Sequence, residues 1–193
     1  MDEEIPKQIG KRYEIKNYVE NTRPQLGKEQ RERERAILGL EVLNLAFDEL
    51  SYSGQTLPHV VFAVDLNING TLRTGAFAPE WEGKDGQPTF FMDIGSNPAD
   101  KFFSERLSEY LRQNGWNNDM LNKSALIDAF FEEAYHFVDF TKGKLPKGIG
   151  SSGILKEYAK HENQPHEIEA RHFAEEMRDK YFNSLVYEKP KLY

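Results

Sequence analysis

The stretch Asn122 to Phe140, NKSALIDAFFEEAYHFVDF, decides how this chain is read. Leu126, Ile127, Phe130, Phe131, Ala134, Phe137 and Val138 recur at helical spacing and predict a helix with one broad apolar face. Glu132, His136 and Asp139 fall together on the other side. Residues 132 and 136 are one turn apart, so their side chains project in parallel and are placed to hold one metal ion. Glu133 lies between His136 and the apolar face, where a carboxylate is costly unless it has a partner or a chemical task.

Downstream, a helix from about Pro165 to Leu185 opens PHEIEARHFAEEM and carries the stripe Ala170, Phe173, Ala174, Met177 and Tyr181. Glu167 stands beside that stripe, where it can supply a further ligand. Upstream, Lys28 to Leu50 fits a long amphipathic helix entered through a charged turn. The period then changes. His59 to Leu66 reads as a strand, Asn69-Gly70 as a hairpin turn, and Thr71 to Ala78 as the returning strand. Thr89 to Ile94 gives a third, and the three are expected to form a small antiparallel sheet. Asn97-Pro98 opens a further helix that runs to about Leu111 and stops before Gly115. Residues 1–27 have few apolar residues in register and are read as a flexible N-terminal arm, leaving 28–193 as a single α+β domain.

Composition narrows the chemistry. The chain of 193 residues contains no cysteine, which excludes disulfide scaffolds, thiolate metal sites and cysteine nucleophiles. Four of its five histidines lie between 136 and 172. A net charge of −7 argues against a broad phosphate-binding surface, so nucleic acid is not the expected partner. No apolar run approaches a membrane span and the first residues lack a secretory layout, which points to the cytoplasm. Gly148 to Gly153 matches G-x-G-x-x-G but follows a lysine-rich loop rather than a strand, so it is not read as a nucleotide site.

The order of a helix, a small sheet, a helix reading EExxH (Glu132 to His136) and a helix reading ExEAxxFA (Glu167 to Ala174) resembles the zincin metallopeptidases. It is most similar to the ImmA/IrrE-type and anthrax-lethal-factor-like groups, over about residues 58 to 185. The resemblance implies a zincin-like fold in which two motif helices hold zinc, and a protein or peptide as partner. By position, Glu132 and His136 would be the first two ligands, Glu167 the third, and Glu133 the general base. Glu132 stands where the family has histidine. The resulting His/Glu/Glu set is harder and more anionic than His/His/Glu, and suits manganese or iron as well as zinc. Four residues after Glu167, where zincins carry Asp or Asn, this chain has Arg171, so a Glu132–Arg171 ion pair could take the metal's place.

Two function classes therefore stay open. One is a catalytically degenerate zincin-like module that binds a protein partner without metal, slightly favoured because the first histidine is missing. The other is a metal-dependent hydrolase, a peptidase, working through Glu132, Glu133, His136 and Glu167. A third reading uses the same letters differently. Glu133-x-x-His136 and Glu169-x-x-His172 share the spacing of di-iron carboxylate bundles, with Glu41, Glu49, Glu105 and Glu109 on earlier helices. Taken singly, Glu and His one turn apart make ordinary surface pairs, and His59, His161 and His166 are read as surface or strand-end residues.

Overall fold

The computed structural model describes residues 8–9, 12–13, 28–54, 57–64, 66–68, 71–81, 87–95, 99, 105–145 and 164–187. Helix α1 (Lys28–Glu49) is followed by strands β3 (His59–Ala63), β4 (Asn67–Ile68), β5 (Thr71–Leu72), β6 (Gly75–Trp81) and β7 (Gln87–Asp93). Helices α2 (Glu105–Gln113), α3 (Asn118–Thr141) and α4 (Pro165–Tyr187) complete the order. Before α1, a two-residue pair of strands, β1 (Gln8–Ile9) and β2 (Arg12–Tyr13), lies in the segment read as an arm. Tyr13 is part of the core. Its hydroxyl donates to the Pro58 carbonyl at 2.7 Å, and its N–H donates to Asn44 Oδ1 at 2.9 Å.

The expected antiparallel sheet is corrected to a mixed one, with order β3-β7-β6. β3 runs parallel to β7, and β6 runs antiparallel to β7 on its other side. The hairpin across residues 69 and 70, which themselves lie outside the described residues, extends only through Asn67↔Leu72 and Ile68↔Thr71. Beyond it the strands part and β7 enters between them. Asp93, at the end of β7, holds that fork: its backbone N–H donates to the Thr74 carbonyl at 2.9 Å. Its carboxylate accepts from the N–H of Leu66 at 2.8 Å and of Gly95 at 2.6 Å. Thr89, Phe90, Met92 and Asp93 are all fully buried, as a central strand demands. β6 is the edge. Pro79 lies within its irregular stretch between Ala78 and Trp81, a position that an interior strand would not tolerate.

α3 is the central helix and packs against α1, α4 and the sheet. Asn117 caps its start, accepting from the Met120 N–H at 2.9 Å, and Gly143 (φ +68°) ends it with a turn in which the Lys144 N–H donates to the Asp139 carbonyl. Phe137 meets Phe47 of α1, Phe77 of β6 and Phe90 of β7, with ring centroids 5.7 to 5.9 Å apart. Phe130 points the Cζ end of its ring at the backbone of α1 at Gly39, where a Cβ would collide with it. These contacts set the rotation of α3 about its axis and turn Glu132 and His136 toward α4. The segment Asn97-Pro98, the glycine loop 148–153 and His161 lie outside the described residues.

Candidate metal site

α3 and α4 run antiparallel, and polar side chains bind them along their length. Arg178 Nη1 donates to Asp128 Oδ2 at 2.9 Å, the Tyr135 hydroxyl donates to Glu169 Oε2 at 3.2 Å, and His136 Nε2 lies 3.5 Å from Glu167 Oε2. The polar side of α3 is thus covered, and Asp128, His136 and Asp139 are buried there. α4 starts at Pro165, with the Gln164 carbonyl accepting from the N–H of Glu167 and of Ile168. That start places Glu167 opposite His136.

Glu132, His136 and Glu167 converge. One ligand atom from each lies within 4.8 Å of the others, a group that could hold a metal ion among the described residues. Glu133 flanks it on the sheet side. A Cβ at Gly75 would come within 3.2 Å of Glu133 Cγ and Oε1, so the glycine at the start of β6 lets the carboxylate approach more closely than a side chain there would.

The electrostatics follow from crowding three carboxylates around one imidazole. Burial is the largest influence on Glu133; the charge on His136 opposes it, Glu132 and Glu167 reinforce it, and the carboxyl is pushed up to about 8. For His136, burial pulls the other way, but the Glu167 hydrogen bond and the charges of Glu133, Glu167 and Glu132 outweigh it and raise the imidazole to about 9. Without a cation, the crowding therefore favours the protonated form of both groups.

Other expected residues are placed differently. Arg171 donates from Nε to the Glu167 carbonyl at 3.3 Å, a contact within its own helix rather than an ion pair across to Glu132. The four residues of the di-iron reading do not come together: Glu169 is taken by Tyr135, and His172, 77% exposed, faces Glu175 at 4.0 Å. His166, read as a surface residue, is largely covered instead, its side chain 10% exposed. Its Nε2 lies 3.3 Å from Glu167 Oε1, and its ring meets His136 edge-on with centroids 6.1 Å apart. Adjacent residues on a helix point about 100° apart, so spacing hid this pairing; only the proline one residue earlier marks the first turn, where both side chains reach α3.

The fold and the group together define an α+β protein, with four helices and a small mixed sheet among its described residues, that gathers a Glu/His/Glu set able to hold a metal ion. No family model matches the chain, and no curated protein or solved structure is significantly similar to it. No helix among the described residues is long and apolar enough to cross a membrane.

Proposed function

We propose that this chain is a metal-dependent hydrolase of zincin type, acting on peptides, with Glu132, His136 and Glu167 holding one divalent cation and Glu133 serving as general base. The convergence of those three side chains from two helices carries the reading. The donor chemistry fits a cation: two carboxylate charges and one imidazole nitrogen balance a dication when His136 is neutral, and the set accommodates zinc, manganese or iron. The metal-free alternative, which starts from the missing first histidine, also calls for Arg171 in the metal's place beside Glu132, and Arg171 instead contacts the Glu167 carbonyl.

A bound cation would polarise a peptide carbonyl and make a nearby water more acidic. The remaining work falls to the chain. Positive charge between Glu132 and Glu167 offsets two of the repulsions that keep Glu133 protonated, so Glu133 ionises. It then takes a proton from water as the water oxygen bonds to the carbonyl carbon, and passes that proton to the leaving nitrogen as the C–N bond breaks. β6, an edge of the sheet among the described residues, starts beside Glu133, and an extended peptide can add to it as a further strand.

The test is metal analysis of protein purified without chelator, joined to cleavage of a quenched peptide library. About one cation per chain is expected, with cleavage lost by roughly 10²–10⁴-fold in Glu133→Gln at unchanged metal content. Protein that takes up no zinc, manganese or iron would overturn the reading.

A further inference from the structure

The ligand atoms that lie within 4.8 Å of one another belong to Glu132, His136 and Glu167, and His166 stands beside that group without joining it. Its contact is with one of the three. We propose that His166 is a positioning residue, which holds one oxygen of Glu167 and so aims the other at the cation; this rests on the metal-site reading above. The two oxygens of that carboxylate are divided between two imidazoles. Oε2 faces His136 Nε2 at 3.5 Å, within the converging group, while Oε1 faces His166 Nε2 at 3.3 Å. The side chains of His166 and Glu167 are about nine-tenths covered and His166 Nε2 is shut off from solvent, so bulk water does not compete for the contact. The pair meets at contact distance rather than in a well-aligned hydrogen bond, and such bonds commonly tighten only in the working complex.

A glutamate ligand needs this kind of partner because its side chain has several rotatable bonds, and fixing it in one arrangement costs up to about 2 kcal/mol of rotamer freedom. Its two oxygens are also chemically equivalent, so the carboxylate can present either one unless a donor engages the other. The first turn of α4 supplies that donor on a fixed backbone. The Gln164 carbonyl accepts from the N–H groups of Glu167 and Ile168, and the His166 ring meets His136 edge-on with centroids 6.1 Å apart, which ties its place to α3 as well as to α4. Charge agrees with the assignment. Glu132 and Glu167 already act on Glu133 as like charges, and an imidazole N–H draws on the Glu167 charge without adding a further carboxylate.

The test is zinc and manganese affinity, measured by dye-competition titration, in two variants. His166→Gln keeps an N–H donor at similar reach, whereas His166→Phe keeps a ring to pack against His136 and loses the donor. His166→Phe is expected to bind about 10–100-fold more weakly than the unmodified chain, and His166→Gln to recover most of that loss. Unchanged affinity in His166→Phe overturns the proposal and leaves His166 a packing residue. Equal losses in both variants assign the effect to the shape of the ring and overturn it as well. Should circular dichroism show that His166→Phe does not fold, His166→Ala gives the same comparison with Gln. In each of these outcomes the three-residue site stands as long as the unmodified chain takes up a cation; an unmodified chain that binds neither metal removes the metal-site reading itself, and this proposal with it.

Discussion

Gly39→Ala sets two rules of physical chemistry against each other. In an isolated helix, replacing an interior glycine by alanine stabilises by about 0.5–1 kcal/mol, because alanine loses less backbone freedom on folding. In this fold, the new Cβ overlaps the Cζ end of the Phe130 ring, and even Cε2, the third nearest ring atom, is only 2.8 Å away. Phe130 is fully buried and packs against Phe62 at 6.4 Å between centroids, so the ring has no open space to turn into. Relief requires α1 and α3 to separate or the ring to leave its rotamer, at a cost of about 1–3 kcal/mol or more, which outweighs the helical gain. Urea unfolding followed by circular dichroism should show a lower midpoint at unchanged slope. Phe130→Leu alone should destabilise through the space it leaves, and the double variant should recover at least about 1 kcal/mol of the summed loss, because the alanine methyl occupies part of that space. A Gly39→Ala protein as stable as the parent or more so would mean that α3 does not dock on α1 in this register. The orientation of Glu132 and His136 would fall with it.

Three further outcomes follow from the site and its surroundings. Arg178→Ala should cost about 3 kcal/mol at pH 8, because Asp128 stays buried without its cation; at pH 5 the loss should shrink, since burial, against the opposing pull of Arg178, already raises Asp128 to about 7 and the carboxyl is then neutral. Proton and metal compete for His136, and the metal also displaces the Glu133 proton, so Mn(II) affinity measured by calorimetry should rise by more than about tenfold per pH unit near 7, by about tenfold between 8 and 9, and then level off, and a flat profile would contradict the crowding of carboxylates around that imidazole. The sign for stability is opposite: His136 binds its proton more tightly folded (about 9) than in its ordinary state (6.5), so the stabilisation is complete below 6.5 and the metal-free protein weakens as pH rises through 9, with Glu133 acting in the same direction. Glu132→His should tighten zinc binding by tenfold or more in a dye-competition titration, and unchanged affinity would count against Glu132 as a ligand.

Sequence alone determined the helices and the identities of the three converging residues. The helical period of residues 122–140 and 165–185 marks out α3 and α4, because a buried stripe must repeat every 3.6 residues whatever it packs against. Glu132 and His136 share a face for the same local reason. What the sequence left undetermined is which strand lies between which, because the Asn-Gly turn specifies two neighbouring pairs of residues and says nothing about a strand arriving from residues 87–93. Pro79 was the available sign that β6 is an edge. Tertiary structure also decided which polar groups are buried. The face of α3 opposite its apolar stripe looks solvated in one dimension, and becomes interior only because α4 lies across it and answers Asp128 with Arg178, Tyr135 with Glu169 and His136 with Glu167. His166 belongs to that second category. Its neighbour Glu167 was legible from spacing, but a position in the first turn of a helix takes its neighbours from whatever element the helix is docked against, and only the docking of α4 on α3 brings that imidazole to the carboxylate.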